Sequence, residues 1–457
     1  MARFIKVTLT HNTATIGAPS MTALMPAGLP SCPDVLWVGG EQMLRGTVEV
    51  EGCKLSSITM IISALLTDEP VVLEQVPVML DHEILCDCLR RLGADVQRTG
   101  STLRLHCRHL EPVVELPDAI IESVHGTTYL LPALLMRYGR VRLRRSRGGC
   151  NIGVRPIAHI AAVLRAFGAK VRLGDVIEAS LPARGLVGCH IGLNYGAGNN
   201  KFISGATKTA ILAGVLARGE TEIENAYWRQ PIVDLCRLLR AMGAQIEGEG
   251  SRRIRIRGVA SLRAAKHRVS CDRLAMGTYI AAAAGGNEIH CRQASLEAMQ
   301  VEADAFRRMG IELEQHGEDV IAAGTRRLVA ASLSTETLDT DLGPIFVVLM
   351  TLADGSSRLE DVVWERRFRY AAGLRRMGGH SVVRRRTIEV TGVPSLTGAS
   401  VKARDLRSAA ALLLAALKAR GPSRIQGAAH LARGYEDLPG RLNSIGADIR
   451  SVPGGAS

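Results

Sequence analysis

The segment RVRLRRSRGGCNIGVRP, from Arg140 to Pro156, carries the most chemistry in the chain. Two glycines precede Cys150 and another follows it, a composition typical of a flexible loop. Four arginines flank the thiol: Arg144, Arg145, Arg147 and Arg155. Nearby cations favour the thiolate, which is the nucleophilic form of cysteine. The pattern therefore indicates a reactive thiol, against the alternative that Cys150 is one more small buried residue.

Two further cations stand at the start of apolar helices. Lys54 lies in VEVEGCKLSS, where an alternating strand meets an apolar helix, so it can reach an anion at the helix N-terminus. Its alternative is a solvated lysine. Arg407 begins the apolar run of ARDLRSAAALLLAAL, where an unpaired cation is disfavoured. Ser408 and nearby amides could help it hold a phosphate or carboxylate; the alternative is an ion pair with Asp405.

Two carboxylates in LDTDLGPIF, Asp339 and Asp341, are candidate general bases. Either could instead cap the helix that follows. Together these patterns predict a site for an anionic substrate, with a thiol and a carboxylate to move protons.

The composition limits what this site can serve. The 457 residues are 47% hydrophobic and 22% charged, which excludes general disorder and allows two or more domains. Aromatic residues are only 4%, so base-stacking surfaces are hard to build. The longest apolar runs, such as 409–417, fall far short of a membrane span of about 20 residues. We expect neither nucleic-acid binding nor a membrane anchor.

The cysteines and the net charge point to a cytoplasmic enzyme with an anionic ligand. Ten cysteines are scattered without a CxxC pair, so we expect reduced thiols, no zinc site and no cofactor. The net charge of +13 fits a basic surface or an anionic small-molecule substrate, since no basic tail or RNA-binding signature is present. The first 37 residues do not match a secretory signal. We interpret them as a poorly ordered extension or the product of an early start codon.

A sixfold repeat organises the rest of the chain. A leucine or phenylalanine, two residues, an apolar residue, glycine and a small residue recur, as in LRRLGADV and LRAMGAQI. The glycines are Gly93, Gly168, Gly243, Gly310, Gly378 and Gly446, separated by 75, 75, 67, 68 and 68 residues. Each phrase is typical of a helix end with a glycine C-cap before a strand.

The repeat predicts an α/β fold of two domains with three βα units each. Every unit also contains an Ala-rich helix, and these helices suit close packing inside a domain with the sheets outside. The change in spacing after the third unit puts the boundary near residues 258–264. We expect one domain at residues 54–258, which includes the cysteine loop. The other joins residues 38–53 to 259–457.

The chain resembles the UDP-N-acetylglucosamine enolpyruvyl transferase family from about Val38 to Ile449. The resemblance is carried by GGCNIGVRP, SGAT, ENA with PIVD, DRLAMGT, TDLGP, ERRF, DLRS and RGYE, in this order. It implies the inside-out α/β fold of two three-unit domains. It also implies transfer of the enolpyruvyl group of phosphoenolpyruvate to a uridine nucleotide, with release of phosphate and without a metal.

The resemblance also implies roles for particular residues. Cys150 matches the cysteine that forms a phospholactoyl adduct and is alkylated by fosfomycin, and Asp341 the base that takes the acceptor's proton. The residues that match phosphoenolpyruvate ligands are Lys54, Arg155, Arg367 and Arg407. Those that match acceptor contacts are Leu55, His125, Arg155, Ile157, Ala158, His159, Ser204, Gly205, Asp341 and Val363.

Two acceptor positions depart from the family pattern. Leu55 replaces an asparagine after the lysine, and His125 replaces an arginine before the loop. The donor half of the site is therefore intact while the acceptor half is altered. This favours a changed acceptor, the 3′-hydroxyl of UMP in nucleoside-antibiotic biosynthesis, over UDP-N-acetylglucosamine in peptidoglycan synthesis.

Two more distant functions remain as alternatives. The first is enolpyruvyl transfer to shikimate 3-phosphate. The GGCNIG loop with its reactive cysteine and the SGAT segment argue against it. The second is a repeat protein of another kind, such as an RNA-end cyclase or a basic RNA-binding scaffold. The combination of Lys54, Cys150, Arg155, Asp341 and Arg407 speaks against it, since no scaffold needs all five.

Overall fold

A computed structural model describes residues 33–111, 124–145, 152–153, 157–194 and 200–452 of the protein. Within these ranges the helices are α1 (Lys54–Ser63), α2 (Leu80–Arg91), α3 (Leu130–Tyr138), α4 (Ala158–Ala166), α5 (Asn200–Gly214), α6 (Gln230–Ala241), α7 (Arg273–Ala282), α8 (Gln300–Arg308), α9 (Gly343–Thr351), α10 (Ala371–Arg376), α11 (Leu406–Lys418) and α12 (Leu438–Asn443). Short 3₁₀ helices are Ala64–Leu66, His125–Tyr129, Leu296–Met299, Arg367–Tyr370 and Ala428–Arg433.

The strands lie between the helices singly or in groups of two to four. They are β1 (Val35–Val38), β2 (Arg45–Glu49), β3 (Val71–Glu74), β4 (Asp95–Thr99), β5 (Thr102–His106), β6 (Arg140–Arg144), β7 (Lys170–Arg172), β8 (Val176–Ser180), β9 (His190–Gly192), β10 (Glu220–Glu224), β11 (Gln245–Glu247), β12 (Arg253–Arg257), β13 (Ala265–Arg268), β14 (Glu288–Arg292), β15 (Ile311–His316), β16 (Asp319–Gly324), β17 (Leu328–Val329), β18 (Ser332–Ser334), β19 (Ala353–Asp354), β20 (Ser356–Glu360), β21 (His380–Arg384), β22 (Thr387–Thr391), β23 (Ser400–Lys402), β24 (Ser423–Gln426) and β25 (Ile449–Ser451).

The chain forms two compact units. Among the described residues, the first unit contains 52–111, 124–145, 157–194 and 200–270, and the second contains 33–51, 152–153 and 271–452. The first unit reaches past residue 258 because β13 pairs in parallel with β3. The domain limits drawn from the repeat, after Cys53 and Gly258, stay a prediction.

Each unit contains three sheets of three or four strands among the described residues. The strand orders in the first unit are β13-β3-β5-β4, β6-β8-β7 and β11-β12-β10-β9. Those in the second are β15-β16-β14-β2, β18-β20-β22-β21 and β23-β24-β1-β25, beside a small β17-β19 pair. The strand β1 enters the last sheet of the chain, where Leu36 lies opposite both Ile425 and Ser451.

The core of each unit is a group of apolar helices. In the first unit α3 packs against α1 and α5, and in the second α9 packs against α7 and α11. Every residue of α7 and α9 is buried, whereas strands such as β12 alternate exposed and buried side chains. This arrangement confirms the predicted α/β class with helices inside and sheets outside. None of the described helices is long and apolar enough to span a membrane.

The repeated glycines all close a helix in the same way. Their φ angles lie between +88° and +106°, a region that side chains rarely adopt. At the first of them the Gly93 N–H donates to the Arg90 carbonyl, and the Ala94 N–H donates to the Leu89 carbonyl. These two hydrogen bonds together define the Schellman cap. The caps at 168, 243, 378 and 446 repeat both bonds. The glycine is therefore required by the turn into the following strand.

An arginine strengthens four of these caps from the last helical turn. Its guanidinium donates to the main-chain carbonyl six residues further on, in the strand or turn after the glycine. The four pairs are Arg90 with Val96, Arg165 with Val171, Arg240 with Ile246 and Arg307 with Leu313. The basic residues that mark the repeat in the sequence thus tie each helix to its strand.

Replacing one repeated glycine should cost stability through the backbone alone. At Gly168 a methyl group would meet nothing closer than Pro182 Cγ at 3.8 Å, but φ is +98°. We expect Gly168→Ala to lower the free energy of unfolding in urea by about 1–2 kcal/mol. The control is Gly192→Ala in β9, where φ is ordinary and the nearest contact is 3.6 Å. Equal stability of the two variants would contradict a strained turn at Gly168.

Candidate active site

The first predicted cation, Lys54, is held at the start of α1. Its ammonium lies 2.7 Å from Asp81 Oδ2, and both side chains are buried. Asp81 stands in the first turn of α2, which packs against α1. A buried lysine needs such a partner. The solvated alternative for Lys54 is therefore wrong, and its ammonium is fixed where α1 begins.

A buried histidine beside this ion pair fixes the same turn. His82 Nε2 lies 2.7 Å from Ser57 Oγ and His82 Nδ1 lies 3.1 Å from the Pro77 carbonyl. The Lys54 carbonyl also lies 3.3 Å from Nε2, so a carbonyl faces each ring nitrogen, and a neutral ring donates to only one of them. Burial, reinforced by the Lys54 ammonium, lowers the pKa of His82 from 6.5 to about 4. The ring is thus neutral and joins the first turns of α1 and α2.

The two altered acceptor positions lie near Lys54. Leu55 is half-buried, whereas the rest of α1 is buried. His125 opens the 3₁₀ helix His125–Tyr129, which packs against both α1 and α2 and is also half-buried. Lys54 and Leu55 begin α1, and the helix that His125 opens packs against α1, with Gly126 beside Ile58. Lys54, Leu55 and His125 form the first group of predicted site residues.

A second group lies where α4 meets α5. Ile157 precedes α4, and His159 on its first turn is buried against Gly205 of α5. A methyl group on Gly205 would lie 2.4 Å from His159 Nε2, so only glycine allows this approach. Ser204 is the one half-buried position of α5 between residues 202 and 214. The structure thus joins Ile157, Ala158 and His159 to Ser204 and Gly205.

In the second unit one carboxylate is clamped between two arginines. Asp341 Oδ1 accepts from Arg367 Nη2 at 2.7 Å, and Asp341 Oδ2 accepts from Arg407 Nη2 at 3.2 Å. Arg407 also donates to the Tyr435 hydroxyl at 3.3 Å, and Tyr435 hydrogen-bonds Thr278. Both arginines are buried. Three residues that lie far apart in the sequence thus meet at one point.

This clamp sets the charge of Asp341. Burial alone would raise the pKa of the carboxyl, but the Arg407 and Arg367 guanidiniums hold it well below its usual range. Asp341 in turn raises the pKa of both arginines against the effect of burial. All three groups are charged at neutral pH. The Nε–H of Arg407 has no hydrogen-bond partner among the described residues.

The neighbouring carboxylates have structural tasks instead. Asp339, the other candidate base, pairs with buried Arg273 and accepts from the Asp341 N–H. Asp405 caps α11 through the Ser408 N–H and hydroxyl, at 2.9 and 2.6 Å. The predicted alternative pair of Arg407 with Asp405 is thus replaced by Asp341. Ser408, considered as an anion ligand, is committed to the cap.

A buried aspartate that the sequence analysis missed organises the remaining predicted contacts. Asp361 Oδ1 accepts from the N–H groups of Val363 and Trp364, each at 2.8 Å. Its other oxygen accepts the Thr340 hydroxyl at 2.5 Å and lies 3.5 Å from Arg367 Nε. Asp361 therefore holds both Val363 and Arg367. The sequence held one signal for Asp361. It follows strand β20 directly and lies two residues before Val363, a predicted acceptor contact.

The cysteine loop falls largely outside the described residues. Cys150 and Arg155 are among those not described, so their predicted roles stay predictions. Beside them, the Ile152 carbonyl accepts from the Arg366 N–H at 2.9 Å, within the second unit. Burial raises the pKa of several other thiols, to about 12 for Cys86, Cys88, Cys107 and Cys236. These four behave as core residues. In the described part of the chain no group of acidic, histidine and cysteine side chains could hold a metal ion.

Known proteins resemble the chain over nearly its whole length. The family model for EPSP synthase (3-phosphoshikimate 1-carboxyvinyltransferase) matches residues 38–442. The UDP-N-acetylglucosamine 1-carboxyvinyltransferase of Maricaulis maris is 36% identical, covering 93% of this chain and all of the relative. The second such enzyme of Symbiobacterium thermophilum is 38% identical, covering 92% and 98%.

Solved structures agree with these relatives. The enolpyruvyl transferase NikO from Streptomyces tendae superposes with a TM-score of 0.83 at 29% identity, covering 91% of this chain and 98% of NikO. The EPSP synthase of Acinetobacter baumannii shares the fold, with a TM-score of 0.70 at 18% identity over 91% and 99%. The chain belongs to the enolpyruvyl transferase family and is an enzyme of this class.

The neutral state of His82 should make stability depend on pH. Its folded pKa of about 4 lies below the unfolded value of 6.5, so between these values the unfolded chain binds the proton more readily. Stability should therefore fall as pH falls from 6.5 to 4, by roughly 3 kcal/mol through this group. We expect the stability difference between wild type and His82→Gln in urea to shrink across this window.

An exposed histidine provides the control for this titration. His109 lies in the same unit and is exposed. The His109→Gln variant should keep nearly the wild-type stability, because its exposed side chain contributes little to packing. If the free energy of unfolding of His82→Gln changes from pH 6.5 to 4 as much as that of the wild type, His82 does not titrate as inferred.

Proposed function

We propose that the enzyme transfers the enolpyruvyl group of phosphoenolpyruvate to a hydroxyl of a uridine nucleotide and releases phosphate. The preferred acceptor in this proposal is the 3′-hydroxyl of UMP, as in nucleoside-antibiotic biosynthesis. The observation that carries the transfer chemistry is the Asp341 carboxylate between Arg367 and Arg407. Membership of the enolpyruvyl transferase family supports the same reaction.

The two arginines are suited to an anionic donor. Phosphoenolpyruvate carries a carboxylate and a phosphate, which guanidiniums bind with paired, charge-assisted hydrogen bonds. Arg407 offers an unused buried Nε–H within the described part of the chain. Lys54 and Arg155 are the other two residues proposed to bind phosphoenolpyruvate. Of the two, Lys54 is held by Asp81 in the first unit.

Asp341 is the proposed base for the acceptor hydroxyl. In the clamp it is a weak base, because two guanidiniums stabilise its charged form. A phosphoenolpyruvate anion bound to the arginines would accept some of their N–H groups, and the two guanidiniums would then stabilise the charge of Asp341 less. Donor binding therefore raises the pKa of Asp341 towards its usual range and prepares it to accept a proton. The carboxylate gains basicity only when a donor is present.

The proposed reaction then follows from acid–base chemistry. Cys150 delivers a proton to the methylene carbon of phosphoenolpyruvate, which creates an oxocarbenium-like centre at the adjacent carbon. The acceptor oxygen forms the new C–O bond as Asp341 takes its proton. The methyl group then returns a proton to the Cys150 thiolate, the bond between carbon and the bridging oxygen of the phosphate breaks, and the double bond re-forms as phosphate leaves. Fosfomycin alkylation of Cys150 belongs to the same proposal.

Two substitutions support a changed acceptor. Leu55 presents a half-buried apolar side chain beside Lys54, where the family pattern has an amide. His125 is shorter than the arginine of the family pattern, and a histidine lacks the permanent charge and the five N–H donors of an arginine. Loss of one charge-assisted contact costs about 1.5–3 kcal/mol, or one to two decades in affinity. An acceptor without the amino sugar loses less from both changes.

UDP-N-acetylglucosamine is the second candidate acceptor. It is the substrate in the names of relatives that are 36% and 38% identical to this chain. The chain is also similar in structure to NikO, an enolpyruvyl transferase whose name does not include UDP-N-acetylglucosamine. This similarity supports an acceptor other than UDP-N-acetylglucosamine. The two acceptors share the uridine and one phosphate, and UDP-N-acetylglucosamine adds a second phosphate and the amino sugar.

A phosphate-release assay with phosphoenolpyruvate separates the candidates. The acceptors are UMP, UDP-N-acetylglucosamine and shikimate 3-phosphate, each compared by kcat/KM. We expect UMP to give the highest value. A hundredfold preference for UDP-N-acetylglucosamine would contradict the changed acceptor, and no release with any of the three would contradict the whole proposal.

Arg407 should contribute to donor binding and to the pKa of Asp341. We expect Arg407→Ala to raise the KM for phosphoenolpyruvate roughly 10- to 100-fold, with little change in the KM for the acceptor. The acidic limb of the pH profile of kcat/KM should move to higher pH, because one of the groups that lowers the pKa of Asp341 is lost. Arg407→Lys should also be poor, since an ammonium cannot bind two oxygens side by side.

The neighbouring Arg404 provides a matched control. It lies three residues before Arg407 and is exposed to solvent. Arg404→Ala should keep the wild-type KM for phosphoenolpyruvate and the wild-type pH profile. Wild-type kinetics in both Arg407 variants would exclude Arg407 from the donor site.

A further inference from the structure

The RGYE segment, residues 433–436, places a tyrosine beside Arg407. Its Gly434 lies directly against the residue that precedes Arg407, because a methyl group on this glycine would overlap the Leu406 side chain. Only glycine therefore allows the segment to approach the start of α11 this closely. The close approach brings Tyr435, the next residue, to the Arg407 side chain.

Tyr435 contacts Arg407 through both its ring and its hydroxyl. Only 1% of Tyr435 is exposed, and Arg407 Cζ lies 5.6 Å from the ring centre. Arg407 Nη1 donates to the hydroxyl at 3.3 Å. The hydroxyl also lies 2.9 Å from Thr278 Oγ1, which in turn lies 3.0 Å from the Leu274 carbonyl in the preceding turn of α7. These groups form one hydrogen-bonded row from Arg407 to the main chain of α7.

The two ends of this row set the direction of every hydrogen bond in it. A guanidinium only donates and a carbonyl only accepts, while each hydroxyl has one hydrogen to donate. Every contact in the row is filled only if Thr278 donates to Leu274 and Tyr435 donates to Thr278. The Tyr435 oxygen is then the acceptor for Arg407. Because hydrogen bonds in a chain polarise one another, donation to Thr278 makes this oxygen a stronger acceptor.

The row also fixes the orientation of the Arg407 guanidinium. Asp341 Oδ2 accepts from its Nη2 at 3.2 Å, and the Tyr435 hydroxyl accepts from its Nη1 at 3.3 Å. A guanidinium is planar and rigid, so contacts at two of its nitrogens, together with the side-chain stem, define its plane. The Nε–H, which has no hydrogen-bond partner in the described part of the chain, therefore has a fixed direction. Without the Tyr435 hydroxyl, the guanidinium could turn about its contact with Asp341.

We propose that Tyr435 is a positioning residue for enolpyruvyl transfer. Its hydroxyl, oriented by Thr278, holds the Arg407 guanidinium in the plane that binds phosphoenolpyruvate. The proposal rests on the proposed function in one respect, the role of Arg407 in donor binding. Tyr435 acts only through Arg407, so loss of its hydroxyl should weaken donor binding and leave acceptor binding unchanged.

The test is the steady-state kinetics of the full-length enzyme with phosphoenolpyruvate and the acceptor that gives the highest kcat/KM. Tyr435→Phe keeps the ring beside Arg407 and removes only the hydroxyl. We expect the KM for phosphoenolpyruvate to rise roughly tenfold, the effect of one hydrogen bond to a charged group, with the KM for the acceptor changed less than about twofold. Thr278→Val should raise the same KM by a smaller factor, because the tyrosine hydroxyl remains but loses its orientation. Thr278→Ser keeps the bridging hydroxyl and should retain the wild-type KM.

The neighbouring Tyr279 provides a matched control. It is also completely buried on α7, but its hydroxyl donates to Glu51 Oε2 at 3.2 Å. Tyr279→Phe should lower stability and keep the wild-type KM for phosphoenolpyruvate. A wild-type KM in Tyr435→Phe would overturn the positioning role, as would an equal rise of the KM in Tyr279→Phe.

A double-mutant cycle separates this inference from the proposed function. When residue 407 is already alanine, Tyr435→Phe should cause no further rise in the KM for phosphoenolpyruvate. If Arg407→Ala and Tyr435→Phe each raise that KM and their effects multiply in the double variant, Tyr435 does not act through Arg407, and only this inference fails. A wild-type KM in Arg407→Ala would instead contradict the donor role of Arg407 in the proposed function, and the positioning role with it.

Discussion

The second unit depends on how two buried guanidiniums and one half-buried carboxylate satisfy one another. Arg367 and Arg407 are almost completely removed from water, which costs several kcal/mol for each ion unless partners replace the solvent, whereas the Asp341 side chain between them stays 25% exposed. The carboxylate supplies those partners to both guanidiniums at once. Three elements each contribute one member: the turn before α9, the 3₁₀ helix at Arg367 and the start of α11. The network therefore fixes how these elements meet, and removing one member would leave buried charge uncompensated.

The repeat explains why the polar groups gather where they do. The buried helices are apolar along their length, so their first turns are the places where charge is tolerated. Lys54 begins α1, Arg273 begins α7, and Arg407 is the second residue of α11. The free N–H groups of a helix start favour an anion, and a cation there is stabilised only when an anion accompanies it. Asp81, Asp339 and Asp341 are those anions in the structure.

The regular part of this architecture could be predicted from the sequence. The glycine spacing gives six equivalent helix ends, and each glycine has the φ that a C-cap requires. Arg407 could also be predicted as a site residue, because a cation at the start of an apolar helix is unusual. The carboxylate that pairs with it could not be predicted. The nearest carboxylate, Asp405, caps the helix, and the carboxylate that pairs with Arg407 lies 66 residues away.

The missed residues share this dependence on tertiary contacts. Asp81 and His82 look like an ordinary helix start in the sequence, and only the packing of α2 on α1 brings them to Lys54 and Ser57. Asp361 looks like a strand end until its carboxylate is seen to hold two N–H groups and the Arg367 turn. Periodicity encodes which face of a helix is buried. Periodicity does not encode which two helices will place their first turns next to each other.

The same logic explains why the proposed acceptor contacts can change without loss of the fold. Leu55, His125 and Ser204 are half-buried exceptions at the edges of otherwise buried segments, so their side chains carry little of the core packing. Substitution there alters what the surface binds at small cost in stability. The Asp341 clamp has no such freedom, because both of its arginines are buried and Asp341 satisfies each of them. Specificity can therefore vary at helix starts while the charges of the proposed donor site stay the same.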